Sequence, residues 1–215
     1  MKYRYSSTLL AVFSLLSFSF ASWADTSSAA SSSEGKVDAG QEKSSTCQGC
    51  HGADGNSYGP DWPHLAGQHA NYIAKQVLAF QEGKRSDPTM SAMVAGISKN
   101  DIDDIAAFFA SKAITTQEEK NEIKIVAAGK TLYKGGNYYK GIPACAGCHS
   151  PTGAGNRPGV IPALAGQRVQ YIIKSLKDFR SGTRSNDTNS IMQNVAVKMS
   201  DNDIKVVAAY IAEMK

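Results

Sequence analysis

The sequence predicts an all-α protein built from two similar domains in tandem, and three observations carry that expectation. The 215-residue chain repeats itself at offsets of 98 to 102. Apolar residues recur at helical spacing in both halves, and no useful stretch alternates as a strand would. Each half also ends with a serine followed three residues later by an aspartate, the opening of a capped helix.

The repeat comes first, because a repeated block implies a repeated structural unit. Cys47-Gln48-Gly49-Cys50-His51 matches Cys145-Ala146-Gly147-Cys148-His149 at an offset of 98. Leu65-Ala66-Gly67-Gln68 matches Leu164-Ala165-Gly166-Gln167 at 99, as do Tyr72, Phe80, Gly83, Arg85 and Ser86 with Tyr171, Phe179, Gly182, Arg184 and Ser185. Met90, Ser98, Asp101 and Ile102 match Met192, Ser200, Asp203 and Ile204 at 102. The offset grows only by small loop insertions, so the order of elements is the same in both halves.

Within each half the helices are read from their apolar faces. Tyr72, Ile73, Gln76, Val77 and Phe80 share one face, and Tyr171, Ile172, Leu176 and Phe179 share its counterpart. Gly83 and Gly182 are expected to stop these helices. A last helix starts at Ser98 with Asp101 in its first turn, and again at Ser200 with Asp203. Ile102, Ile105, Ala106 and Phe109 form its buried stripe, repeated by Ile204, Val207, Ala208 and Ile211. The predicted organisation is a signal peptide at 1–24, a flexible Ser/Ala-rich spacer at 25–36, and domains at 37–116 and 117–215.

The signal peptide is read from Lys2 and Arg4, the apolar run Leu9 to Phe20, and the small residues Ser22 and Ala24. That run is shorter than the roughly 20 residues that span a bilayer, which favours cleavage after Ala24 over a retained anchor. Charge is divided unevenly behind it. Residues 25–116 hold 7 basic and 11 acidic side chains, a net of −4, and residues 117–215 hold 14 and 8, a net of +6. Such asymmetry can orient a docking partner.

Four cysteines in an exported protein ordinarily suggest disulfides. Here each pair is spaced Cys-x-x-Cys and followed at once by histidine, which a disulfide framework has no use for. Cys-x-x-Cys-His is the attachment signal for c-type haem: the two thiols bond the porphyrin edge and the histidine reaches the iron. A thioredoxin-like redox pair would need a βαβ context, which is not visible. A four-cysteine zinc site would leave His51 and His149 idle and pull two domains onto one ion. Each half is also short of core for its length, and a large apolar macrocycle at its centre would supply what is missing.

Histidine fills one axial position of the iron, and methionine is the candidate for the other. Met90 and Met192 recur at matching places, eight residues before the capping serine. Their neighbours Met93 and Met199 face Val195 and Ile97 in the repeat, and core packing suits them better. His64 and His69 correspond to Ala163 and Arg168 and are read as surface or packing residues. Pro63 and Pro162 precede the repeated Leu-Ala-Gly-Gln at equal places; either a carbonyl here accepts the second ring N–H of the histidine, or these are ordinary loop prolines.

With these motifs the chain resembles the cytochrome c4 family of diheme cytochromes c. The resemblance covers nearly the whole chain after the leader. It rests on the segment Cys47 to Ser57, on Pro63 to Gln68, on Pro143-Ala144-Cys145, and on Met192 with its following helix. It implies two class I cytochrome c domains related by an approximate two-fold axis, and two covalently bound haem c groups on Cys47, Cys50, Cys145 and Cys148. It further implies His51, Met90, His149 and Met192 as axial ligands, and the carbonyls of Pro63 and Pro162 as partners of the two imidazoles. The function implied is a periplasmic electron carrier, loosely held at the inner membrane, passing electrons toward a terminal oxidase. Its partners would be redox proteins and not nucleic acid. The rival reading is a haem enzyme, such as a diheme peroxidase, or a cytochrome subunit of a dehydrogenase. The segment from Gly83 to Met90 is shorter than that from Gly182 to Met192, a departure that bears on the surroundings of Met90.

Overall fold

The computed structural model describes residues 35–115 and 121–215. The signal peptide, all but the last two residues of the spacer, and most of the join between the domains lie outside them. The N-terminal domain has five helices: α1 (Val37–Lys43), α2 (Ser45–His51), α3 (Ala70–Gln81), α4 (Pro88–Val94) and α5 (Lys99–Ala110). The C-terminal domain repeats the order with α6 (Ile123–Gly135), α7 (Ala146–His149), α8 (Val169–Ser181), α9 (Ile191–Ala196) and α10 (Asp201–Glu213). Among the described residues, pairing of extended backbone is confined to isolated bridges.

Helix ends follow local chemistry. Ser98 accepts from the Asp101 amide at 3.2 Å, and Ser200 accepts from Asp203 at 3.2 Å. The Asp203 carboxylate also returns to the Ser200 amide at 2.9 Å, closing a reciprocal cap. Gly182 ends α8 in the left-handed region at φ 78°, and Gly83 has a positive φ of 68° two residues beyond the end of α3, after Glu82. The expected apolar stripes of α5 and α10 are buried along their whole length.

In both domains the first helix crosses the last, and the third packs beside it. The crossing is close because a glycine stands at its centre. A Cβ at Gly40 would come within 2.8 Å of the Phe108 Cβ and nearer still to the Asp104 carbonyl. At Gly129 it would come within 2.8 Å of the Tyr210 Cβ and nearer still to the Val206 carbonyl. Around these crossings lie two cores. One holds Ile73, Ile105, Ala106, Phe108 and Phe109; the other is larger and includes Tyr133, Ile172, Met199, Val207 and Ile211. Met199 is thus a core residue, as expected. Met93 is not: it is 44% exposed, because the short α4 packs inward through Val94 instead.

The two domains meet through the same residues used twice. Gln68 donates to the Ala163 carbonyl at 2.9 Å and accepts from the Ala163 amide at 2.9 Å. Reciprocally, Gln167 donates to the His64 carbonyl at 2.9 Å and accepts from the His64 amide at 2.8 Å. Arg184 reaches the Tyr72 hydroxyl at 2.9 Å, while Arg85 reaches that of Tyr171 at 3.3 Å. A residue i contacting j while the equivalent of j contacts the equivalent of i is the mark of a two-fold interface, here within one chain.

His64 is one of the groups buried there, at 2% exposure. Its Nδ1 accepts from the Ser57 amide at 2.9 Å, so the ring must be neutral. Burial, and then the charge of Arg168, push its pKa down to about 4. An unfolded chain binds that proton near 6.5, so between pH 6.5 and 4 the unfolded state holds more protons and stability falls with pH. The cost reaches about 3 kcal/mol by pH 4. Urea midpoints at pH 7 and pH 4.5 are expected to differ less in His64→Gln than in the unaltered protein; equal differences would contradict this.

Candidate haem sites

The motif cysteines and histidines lie on α2 and α7. Cys47 lies about one turn before the adjacent Cys50 and His51 on α2, while Cys145 is the N-cap of α7 and Cys148 and His149 lie within it. Directly after each histidine the chain reverses at positive φ, 84° at Gly52 and 69° at Ser150. The loop then returns under the imidazole. In the first domain the Gly55 carbonyl accepts from both Leu65 (2.8 Å) and Ala66 (3.1 Å); in the second the Gly153 carbonyl accepts from Leu164 (2.7 Å) and Ala165 (3.2 Å). Gly67 and Gly166 hang the same segment on the last helix, through the carbonyls of Phe109 and Ile211.

This folding places Pro63 against His51 and Pro162 against His149. His51 Nδ1 lies 2.9 Å from the Pro63 carbonyl oxygen, and His149 Nδ1 lies 3.0 Å from that of Pro162. A carbonyl only accepts, so Nδ1 carries the proton in both rings and Nε2 keeps its lone pair. Both rings are buried, and burial holds their pKa below the ordinary imidazole value against the opposing pull of the carbonyl. Each is therefore a neutral, oriented imidazole with a basic nitrogen to offer a metal.

None of the four cysteines is paired in a disulfide. Cys47 and Cys145 pack against the cores of their domains, and burial raises the pKa of both, that of Cys145 to about 11. Among the described residues, no three His, Cys, Asp or Glu side chains gather as a metal cluster. Paired thiols, one oriented imidazole and a protein surround make a donor set that fits covalent haem c.

Met90 and Met192 stand half-buried on α4 and α9. Each has its backbone amide held by an aspartate, Asp87 at 3.1 Å for Met90 and Asp187 at 2.7 Å for Met192. The longer approach to Met192 is absorbed by a 3-10 turn at Thr188–Ser190, with Asn189 and Ser190 left-handed at φ 54° and 53°. α4 packs on α3 and α9 on α8, so the helices that carry the two methionines keep equivalent neighbours despite the insertion.

The sequence reading passed over the polar residues that join the domains. Gln68 and Gln167 repeat at an offset of 99, which the sequence shows, and both are buried, which only the structure shows. His64 and Arg168 differ from their counterparts in the other half, and both are buried at the join: Arg168 donates to the Ser57 hydroxyl and carbonyl.

The model of the family described as cytochrome c matches residues 37–112 and again 126–215. Fold and repeated site together define a c-type cytochrome of two domains. Cytochrome c4 of Pseudomonas aeruginosa is 44% identical over 178 residues, covering 82% of this chain and 88% of that one. The crystal structure of reduced recombinant cytochrome c4 from Pseudomonas stutzeri matches with a TM-score of 0.80 at 38% identity, over 84% of this chain and 100% of that one. A protein of Stutzerimonas stutzeri named thiosulfate dehydrogenase electron acceptor is 36% identical, with 78% of each chain covered. The chain belongs to the cytochrome c4 family of diheme electron carriers.

Proposed function

We propose that the chain is exported, loses residues 1–24, and acts in the periplasm as an electron carrier with two covalently bound haem c groups. Its folded domains span 37–116 and 117–215 behind a spacer at 25–36. It takes electrons from a respiratory donor complex and passes them toward a terminal oxidase, and it is not itself an enzyme. Association with the inner membrane is loose; among the described residues no helix is long and apolar enough to cross a membrane. The observation that supports this reading best is the pair of buried histidines, each fixed as the Nδ1–H tautomer on a proline carbonyl and preceded by two cysteines that form no disulfide.

When bound, haem c supplies a one-electron iron couple in each domain. Cys47 with Cys50, and Cys145 with Cys148, would anchor the porphyrin edge. His51 and His149 would hold one face of the iron through Nε2, and Met90 and Met192 the other through sulfur. The carbonyls of Pro63 and Pro162 keep each imidazole in one orientation and raise its basicity. Helices α5 and α10 would supply apolar walls to the bound group, and ligation by thioether together with imidazole would favour a high potential.

Met192→Ala tests the carrier reading. The reduced variant is expected to take up carbon monoxide at one of its two haems, and the unaltered protein at neither. Rapid carbon monoxide binding by the unaltered protein would contradict the reading and favour a haem enzyme, because catalysis at haem needs an open position. The relative named as an acceptor for thiosulfate dehydrogenase favours a second reading, in which the electron donor is a dehydrogenase. Rapid reduction of the purified protein by such a dehydrogenase with thiosulfate would support it.

A further inference from the structure

We propose that Gln68 and Gln167 are positioning residues that tune each haem iron from the opposite domain, through the peptide group that binds its histidine. This rests on His51 and His149 being iron ligands.

The peptide joining Pro63 to His64 is engaged at both ends. Its carbonyl accepts from His51 Nδ1 at 2.9 Å, and its N–H donates to Gln167 Oε1 at 2.8 Å. The peptide joining Pro162 to Ala163 is engaged in the same way, by His149 at 3.0 Å and by Gln68 Oε1 at 2.9 Å. Each glutamine thus sits one peptide group away from the imidazole of the domain to which it does not belong. The corresponding links agree within 0.1 Å, although the residue carrying the N–H is histidine in one domain and alanine in the other.

The glutamines cannot swing away. Each returns its Nε2 to the carbonyl of the same residue at 2.9 Å, and each Oε1 also accepts from the amide of its own next residue at 3.0 Å. Both side chains are buried, where hydrogen bonds are electrostatically strong.

An amide whose N–H is engaged is a stronger acceptor at its oxygen, because hydrogen bonds in series polarise one another, by roughly 10–30% per bond. A stronger carbonyl acceptor draws the Nδ1 proton of the imidazole and makes Nε2 a better electron donor. That favours the oxidised iron. Gln167 therefore lowers the potential of the haem in the N-terminal domain, and Gln68 that of the haem in the C-terminal domain. A glutamine that only glued the domains together would act on both haems alike.

The test is the crossed effect in the diheme protein, with each potential assigned to its domain by NMR. Gln167→Leu is expected to favour reduction of the N-terminal-domain haem about threefold, or about 28 mV at 59 mV per tenfold for one electron, and to leave the other haem nearly unmoved. Gln68→Leu is expected to do the reverse. In the reduced protein the His51 Nδ1–H resonance should move upfield in Gln167→Leu and that of His149 should not. Gln167→Glu, which keeps an oxygen on the His64 amide, should restore the His51 resonance. Equal shifts at both haems, a shift confined to the glutamine's own domain, or no change in potential or resonance would overturn the proposal. A pyridine haemochrome count below two in the unaltered protein would instead overturn the ligation on which it rests.

Discussion

Gly129→Ala is expected to destabilise the C-terminal domain by about 3 kcal/mol or more, at the upper end of what overpacking costs. The added methyl would meet the Val206 carbonyl and, at 2.8 Å, the Tyr210 Cβ. The nearest atoms belong to backbone, so no rotamer change relieves the contact, and α6 and α10 must separate. That pair carries the core of the domain, with Tyr133 and Tyr210 rings 5.5 Å apart beside the crossing and the Tyr133 hydroxyl donating to the Ser150 carbonyl at 2.8 Å. Separation would therefore also loosen the exit of the haem-binding turn. Gly135 provides the control in the same helix: nothing lies within 4 Å of a Cβ there, and Gly135→Ala is expected to be neutral or to gain about 0.5 kcal/mol from lower chain entropy. Urea unfolding followed by circular dichroism separates the two, and equal midpoints would contradict the close crossing.

Replacing Cys145 and Cys148 together by alanine is expected to reduce the haem content from two to one and to cost the C-terminal domain its native fold. The motif occurs once in each domain, so the N-terminal site keeps both thiols and His51. The altered domain keeps its caps and apolar stripes but loses the covalent tie to the group at its centre. A domain of this size buries too little apolar surface to be comfortably stable without such a staple. Pyridine haemochrome analysis and circular dichroism check both halves of this expectation. Retention of two covalent haems would contradict the assignment of those cysteines.

What the sequence made legible was local. Serine caps, apolar stripes, glycine stops and the Cys-x-x-Cys-His motif are written within one or two helical turns, and finding them twice gave the same order in both halves, although the helices α1, α4, α6 and α9 went unread. The domain interface was not legible, because its partners lie far apart in the chain: Gln68 meets residue 163 and Gln167 meets residue 64. Gly40 and Gly129 were passed over for a related reason. A glycine inside a short helix looks like weak propensity until a second helix, itself distant in sequence, is known to cross it. His64 was read as a surface or packing residue and Arg168 was noted only as the counterpart of His69, yet both are buried at the join. Met93 was expected in the core because valine, not methionine, stands at its place in the other half, but the short α4 turns Val94 inward and leaves Met93 on the surface.

In the proposed holoprotein each domain grips its own haem through two thioether bonds and one histidine. Intact and tandem mass spectrometry of the protein recovered from the periplasm tests it most directly. The account predicts a chain carrying two haem groups, one bonded at Cys47 and Cys50 and one at Cys145 and Cys148. Four unmodified thiols, or disulfides within the two pairs, would contradict it.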